Sequence, residues 1–128
     1  MRDIFYLNTF NVAEYIRALE NGRMPIALSL DLSVKMQMAG WLYWRIYETK
    51  FEKGDFKGRF GKDFDKIYGK YVKPLALLGW LQDDGQQVVL SNEGTYWLHA
   101  LEDLISIQYV SRLWGTLQQE PWPEKVVL

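Results

Sequence analysis

A single histidine, His99, and a complete absence of cysteine bound the chemistry open to this 128-residue chain. An imidazole base needs a nucleophile and an orienting carboxylate, and a zinc site needs several nitrogen or sulfur ligands. One histidine assembles neither. Without cysteine there is no disulfide, no thiolate nucleophile and no cysteine-held iron–sulfur cluster. The neighbouring carboxylates Asp83-Asp84 and Glu102-Asp103 do not converge by spacing, the first pair suiting a turn and the second a solvated helix face. His99 sits off the apolar stripe of its helix, which predicts an exposed side chain. The ten glycines follow neither a phosphate-loop nor a GxGxxG pattern. The chain is therefore expected to carry no catalytic, cofactor-binding or metal site.

The remaining chemistry-bearing cluster is basic. Between Lys50 and Lys73 eight basic side chains stand against four acidic ones, a local balance of +4 in a chain of net charge −1. Lys62, Lys66, Lys70 and Lys73 fall within about 80° of arc on a helix turning ~100° per residue. Such a face is usually only solvated. The alternative is a phosphate-contacting surface of a DNA-binding regulator. Lysines alone lack the bidentate geometry of Arg, Asn and Gln that base reading favours. The hairpin tip QDDGQQ would also repel phosphate. Nucleic acid is the disfavoured partner.

The elements that position these residues are legible from periodicity. Residues 2–10 suit an extended segment, and Asn11 with Glu14 forms a capping-box-like start for a helix striped by Val12, Tyr15, Ile16 and Leu19 and stopped by Gly22. Residues 23–32 are expected to be a linker, because Pro25 forbids helix continuation. Ser33 then caps a helix from Val34 to about Thr49 with Met36, Ala39, Tyr43, Ile46 and Tyr47 on its inner face. Met38, Trp41 and Trp44 lie largely on its other side, the tryptophans as a covered surface or a docking surface. A short helix bearing Phe56 and Phe60, a turn at Gly61 and a helix from Lys62 to Gly79 follow, with a kink expected near Lys70–Lys73 from Pro74. Strands around Trp80–Gln82 and Val88–Leu90 form a hairpin turning at Asp84-Gly85. Ser91 caps a last helix to about Arg112, with Trp97, Leu98, Leu101, Leu104 and Ile105 as its core face and a second stripe of Tyr96, Ile107, Val110 and Trp114. The fold class is mainly α with a small β-hairpin (α+β): a winged helix-turn-helix-like domain at 33–114, an N-terminal helical appendage at 1–32 and an extended tail at 115–128, packed down through Trp122. No apolar run is long enough to span a membrane and the first residues do not form a signal peptide, so a cytoplasmic location is expected.

The order of motifs resembles a known family. The runs YLNTFNVAEYIRALENGRMPIA, FKGRFGKDFDKIYGKYVKPLALLGWL and VVLSNEGTYWL are similar to the C-terminal region of oxygen-independent coproporphyrinogen III oxidase-like proteins of the radical S-adenosylmethionine family. Asn8 and Tyr15, then Gly22 and Pro25, match the pattern near the end of that family's barrel. Phe60-Gly61, then Leu75, Leu78 and Gly79, then Leu90, Ser91 and Gly94 match its appended small domain. The resemblance implies a C-terminal piece of such a protein, non-catalytic by itself. The parent would use a four-iron cluster and S-adenosylmethionine in porphyrin or haem metabolism, but no cluster ligand can be carried onto this cysteine-free chain. Trp41, Trp44, Tyr96, Val110 and Trp114 would face the missing barrel in cis, or support self-association through exposed apolar faces.

Overall fold

The computed structural model describes residues 3–126. They fall into two compact units: residues up to 37 together with those from 104 onward, and Met38–Asp103.

The first unit contains an antiparallel pair, β1 (Asp3–Asn8) and β2 (Ile26–Leu32), joined through α1 (Val12–Glu20). Phe5 pairs with Leu30 and Leu7 with Leu28 before the register shifts at Asn8. β2 occupies the stretch expected to be a linker. Its sequence IALSLDL alternates apolar positions Ile26, Leu28, Leu30 and Leu32, the period of a strand, and Pro25 precedes it without needing a ladder donor. The α1 start is as expected, with the Asn11 side chain accepting from the Glu14 amide at 3.1 Å. One step past the strands, Thr9 N–H donates to the Pro25 carbonyl at 2.9 Å.

The second unit runs through α2 (Val34–Tyr47), β3 (Lys50–Glu52), α3 (Lys53–Phe60), α4 (Phe64–Leu77), β4 (Leu81–Asp83), β5 (Gln87–Leu90) and the start of α5 (Asn92–Gln119). The expected hairpin is present, and β3 adds a third strand to give the antiparallel order β3-β5-β4. Three residues are too few for β3 to show an alternating pattern. Phe56, fully buried, centres a core of Met38, Phe51, Phe64, Val72, Leu81 and Val88. Its ring meets those of Phe60, Trp41 and Phe64 at 4.9, 5.3 and 5.4 Å. The inward row of α2 is thus Met38, Trp41 and Leu42, not the Met36–Tyr47 face expected; Met36 and Tyr47 are exposed. An almost uniformly apolar helix gives periodicity little to discriminate with.

Two further departures concern helix length. α4 passes through Pro74 without a break, its end satisfied by Leu78 N–H on the Pro74 carbonyl and Trp80 N–H on that of Leu75. α5 does not stop near Arg112: it continues to Gln119, burying Leu113 and Leu117, so the extended tail begins only after that. The burial of two leucines offsets what Gly115 costs the helix, whereas Pro121 cannot continue it. Of the tail, Trp122 donates its indole N–H to Glu14 at 3.1 Å. The final two residues lie outside the described range.

The expected core face of α5 is also displaced. Trp97, Leu101, Leu104 and Ile105 are about half exposed or more, and the buried positions in the second unit are Gly94, Leu98 and Glu102. The cause is Gly94. A Cβ there would stand 1.8 Å from the Trp80 carbonyl oxygen, so the helix start lies directly on the β4 approach, and the row one turn apart follows it inward.

Candidate functional site

Tyr47, at the end of α2, stacks on His99 of α5 with ring centres 4.8 Å apart. His99 Nε2 lies 3.0 Å from the Ile46 carbonyl, an acceptor, so this nitrogen carries the proton. His99 is therefore half-buried and bonded instead of exposed as its position predicted. The Tyr47 hydroxyl donates to Asp103 at 3.3 Å. Its pKa is pushed up to about 12, first by the hydrogen bond with Tyr43, then by desolvation and the Asp103 charge.

Glu102, expected on the solvent face, is only 6% exposed, and neither carboxylate oxygen has a hydrogen-bond partner. Burial pushes its pKa up to about 7; nearby His99 works against the rise and Asp103 adds to it. The cluster offers a polar seam between α2 and α5 but no reactive pair. Among the described residues no group of three or more His, Asp or Glu could hold a metal ion.

Among the described residues Lys53 is the one buried cation, 9% exposed. Its ammonium lies 2.7 Å from Asp65 and 2.7 Å from Asp83, tying α3 to α4 and β4. Burial alone would lower its pKa; the two carboxylate bonds more than reverse this and hold it above the usual lysine value. Asp83 is thus committed to Lys53, while the Asp84 carboxylate accepts the Gln86 and Gln87 amides at 2.8 and 2.7 Å. The acidic hairpin tip is built for the turn. Sequence spacing gives no sign of the Lys53 bridge, because its partners lie 12 and 30 residues away.

The expected interface residues separate. Trp41 packs inward, edge-on to Phe51 and Phe56 at 5.4 and 5.3 Å, whereas Trp44 is 63% exposed. Tyr96 is 67% exposed, its ring edge-on to Trp97. In the first unit Val110 is half-buried, and Trp114 is 52% exposed with its ring edge-on to Phe10 at 5.9 Å. The lysine row is shortened. α4 begins at Phe64, capped by the Asp63 side chain, so Lys62 precedes the helix; Lys66, Lys70 and Lys73 remain exposed on it.

Comparison with known proteins falls on the second unit. Residues 49–97 match the family model of the HemN C-terminal domain. No curated protein and no solved structure matches the chain. The HemN C-terminal match spans β3, α3, α4, β4, β5 and the start of α5, and agrees with the small-domain part of the sequence resemblance; Asn8, Tyr15, Gly22 and Pro25 lie outside it. It also contains three of the four glycines that the resemblance singled out, Gly22 lying outside it, and each of the three has a backbone reason. Gly61 and Gly79 end α3 and α4 at φ of 63° and 76°, and Gly94 permits the contact with Trp80.

Proposed function

We propose that this chain supplies the non-catalytic C-terminal accessory domain of a HemN-like radical S-adenosylmethionine protein. The observation that carries this is the HemN C-terminal domain match at residues 49–97. In this reading the helix–strand–helix–helix–strand–strand order of the second unit, with β3 against β5, is a winged helix used as a packing module. The domain rests against the catalytic barrel and helps shape the substrate entrance of an enzyme of porphyrin metabolism in the cytoplasm. Trp44, Tyr96 and Trp114 present large aromatic surfaces without full cover, which suits that docking role. The iron–sulfur cluster and S-adenosylmethionine do not fit this chain, which has no cysteine to ligate iron; they belong with the barrel.

The test is calorimetric titration of the chain into a separately produced barrel of a HemN-like protein. A one-to-one complex is expected, weakened at least ~10-fold (about 1.4 kcal/mol) by Trp44→Ser or Trp114→Ser. A barrel that shows no heat of binding, or one indifferent to both substitutions, refutes the docking role.

A further inference from the structure

We propose that the outward side of α4 is a docking surface for an acidic amphipathic helix of a partner protein. α4 already buries its other side: Phe64 and Val72 lie in the Phe56 core, with Ile67, Tyr68, Leu75 and Ala76 packed against it. A helix so placed is expected to be polar on the side facing out. The C-terminal half of α4 is not. Leu77 is 90% exposed, Leu78 62% and Tyr71 58%.

These side chains adjoin the lysines in a definite pattern. At ~100° per residue Lys66, Lys70 and Lys73 fall within about 60° of arc, and Leu77 continues the same line for a total length of about 16 Å. Tyr71 and Leu78, seven positions apart, flank that line on the Lys70 side, where the Lys70 ammonium stands 4.9 Å from the Tyr71 ring centre. The whole surface belongs to one helix of the second unit.

The fold leaves the charge of the row unneutralised. The two carboxylates at the start of the helix are engaged elsewhere: Asp63 caps the first turn through the Lys66 amide, and Asp65 is drawn to Lys53. No ion pair reaches Lys66, Lys70 or Lys73 among the described residues. Charge complementarity therefore selects the occupant. A helix bearing carboxylates three or four residues apart along one line meets the three ammonium groups in step, and apolar side chains beside that line receive Leu77, Leu78 and Tyr71. A phosphate backbone matches the charge but offers Leu77 no apolar seat.

Six side chains on one helix fall short of the ~800 Å² per partner of a standard stable interface, so the complex is weak, with a Kd of roughly 10–100 µM. Leu77 supplies affinity and the lysines supply steering and specificity. The surface is separate from Trp44, Tyr96 and Trp114 and does not depend on the accessory-domain reading.

The test is fluorescence anisotropy of a labelled helical peptide with glutamates along one line and leucines beside it, titrated with the whole chain. Saturable binding in the stated range is expected, with an isomer of the same composition but scrambled order binding at least ~10-fold more weakly. Leu77→Ser should weaken binding at least ~5-fold with little change in its salt dependence. Changing Lys66, Lys70 and Lys73 together to Gln should weaken it at least ~10-fold and flatten that dependence. Both variants alter exposed side chains, so their circular dichroism spectra should match the parent's. No saturable binding up to ~1 mM peptide overturns the proposal. So does equal affinity for the scrambled isomer, which is charge attraction without a surface, or indifference to Leu77→Ser. Duplex DNA held at ~150 mM salt more tightly than the peptide, and released by the lysine changes but not by Leu77→Ser, overturns it in favour of a phosphate surface.

Discussion

Gly94→Ala adds one methyl group at the first turn of α5, where helix propensity alone favours alanine by about 0.5–1 kcal/mol. The structure predicts the opposite sign. The new Cβ would lie 1.8 Å from the Trp80 carbonyl oxygen and 2.6 Å from its carbon. Both atoms are backbone, so no side chain can swing away, and the helix start must retreat by more than about 1 Å to reach an ordinary contact. That retreat stretches the bond from Ser91 N–H to the same Trp80 oxygen, now 2.9 Å, worth about 1 kcal/mol. It also displaces the row that buries Leu98, at an overpacking cost of ~1–3 kcal/mol. The net loss is about 2 kcal/mol, a fall of roughly 10 °C in Tm for a chain of this size. Gly115→Ala is the internal control: nothing lies within 4 Å of its Cβ position, and the same propensity term should stabilise α5 by ~0.5–1 kcal/mol. Thermal and urea unfolding followed by circular dichroism read both. A Gly94→Ala chain as stable as the parent would refute the close-approach account.

Lys53→Met should destabilise the second unit by ~1–3 kcal/mol, below a fully buried pair because Asp65 is half exposed, as urea midpoints would show. Because the Lys53 pKa is raised on folding, its contribution is fully present below the unfolded lysine value and is lost as pH climbs through the folded one; Lys53→Met should therefore flatten the alkaline end of the stability profile. Glu102 has the reverse consequence. An acid raised from 4.5 to about 7 binds its proton more tightly when folded, so stability is greatest below 4.5 and falls as pH rises to about 7, by an amount of order 3 kcal/mol at most. Glu102→Gln should remove that slope and be more stable than the parent at pH 8. Duplex DNA is expected to bind weakly or not at all at ~150 mM salt; if retention is seen by anisotropy and disappears on neutralising Lys66, Lys70 and Lys73 together, the α4 face is a phosphate surface after all.

Local signals carried most of the element order. The Asn11 and Ser91 caps, the Gly61 turn and the Asp84-Gly85 hairpin each hold because one residue type satisfies one backbone need on the spot. What sequence could not show was which side of an apolar helix turns inward. Trp41 and Trp44 are three residues apart in a helix that is apolar on all sides, yet one enters the Phe56 core and the other faces out. On α5 the choice was made by Gly94 against Trp80, a contact across 14 positions that buries the Leu98–Glu102 row and leaves Leu101, Leu104 and Ile105 outside. The Lys53 bridge and the His99 stack depend likewise on partners brought together only by the fold.

The first unit is made from both ends of the chain. Phe10 meets Trp114, and Glu14 takes the Trp122 indole N–H across 108 positions of sequence. The second unit lies wholly between those ends, Met38–Asp103. During synthesis this imposes an order in time. The central unit has every residue of its core in hand before Leu113, Trp114, Leu117 and Trp122 have been made, and can fold as it leaves the ribosome. The β1–β2 pair, made before the central unit, must wait until after it for those later side chains of its own unit. A two-stranded ribbon is marginal in water by itself. The strand pair is thus completed only after the central unit, and in the interval its unpaired groups stand open to capture by a chaperone or by a neighbouring nascent chain.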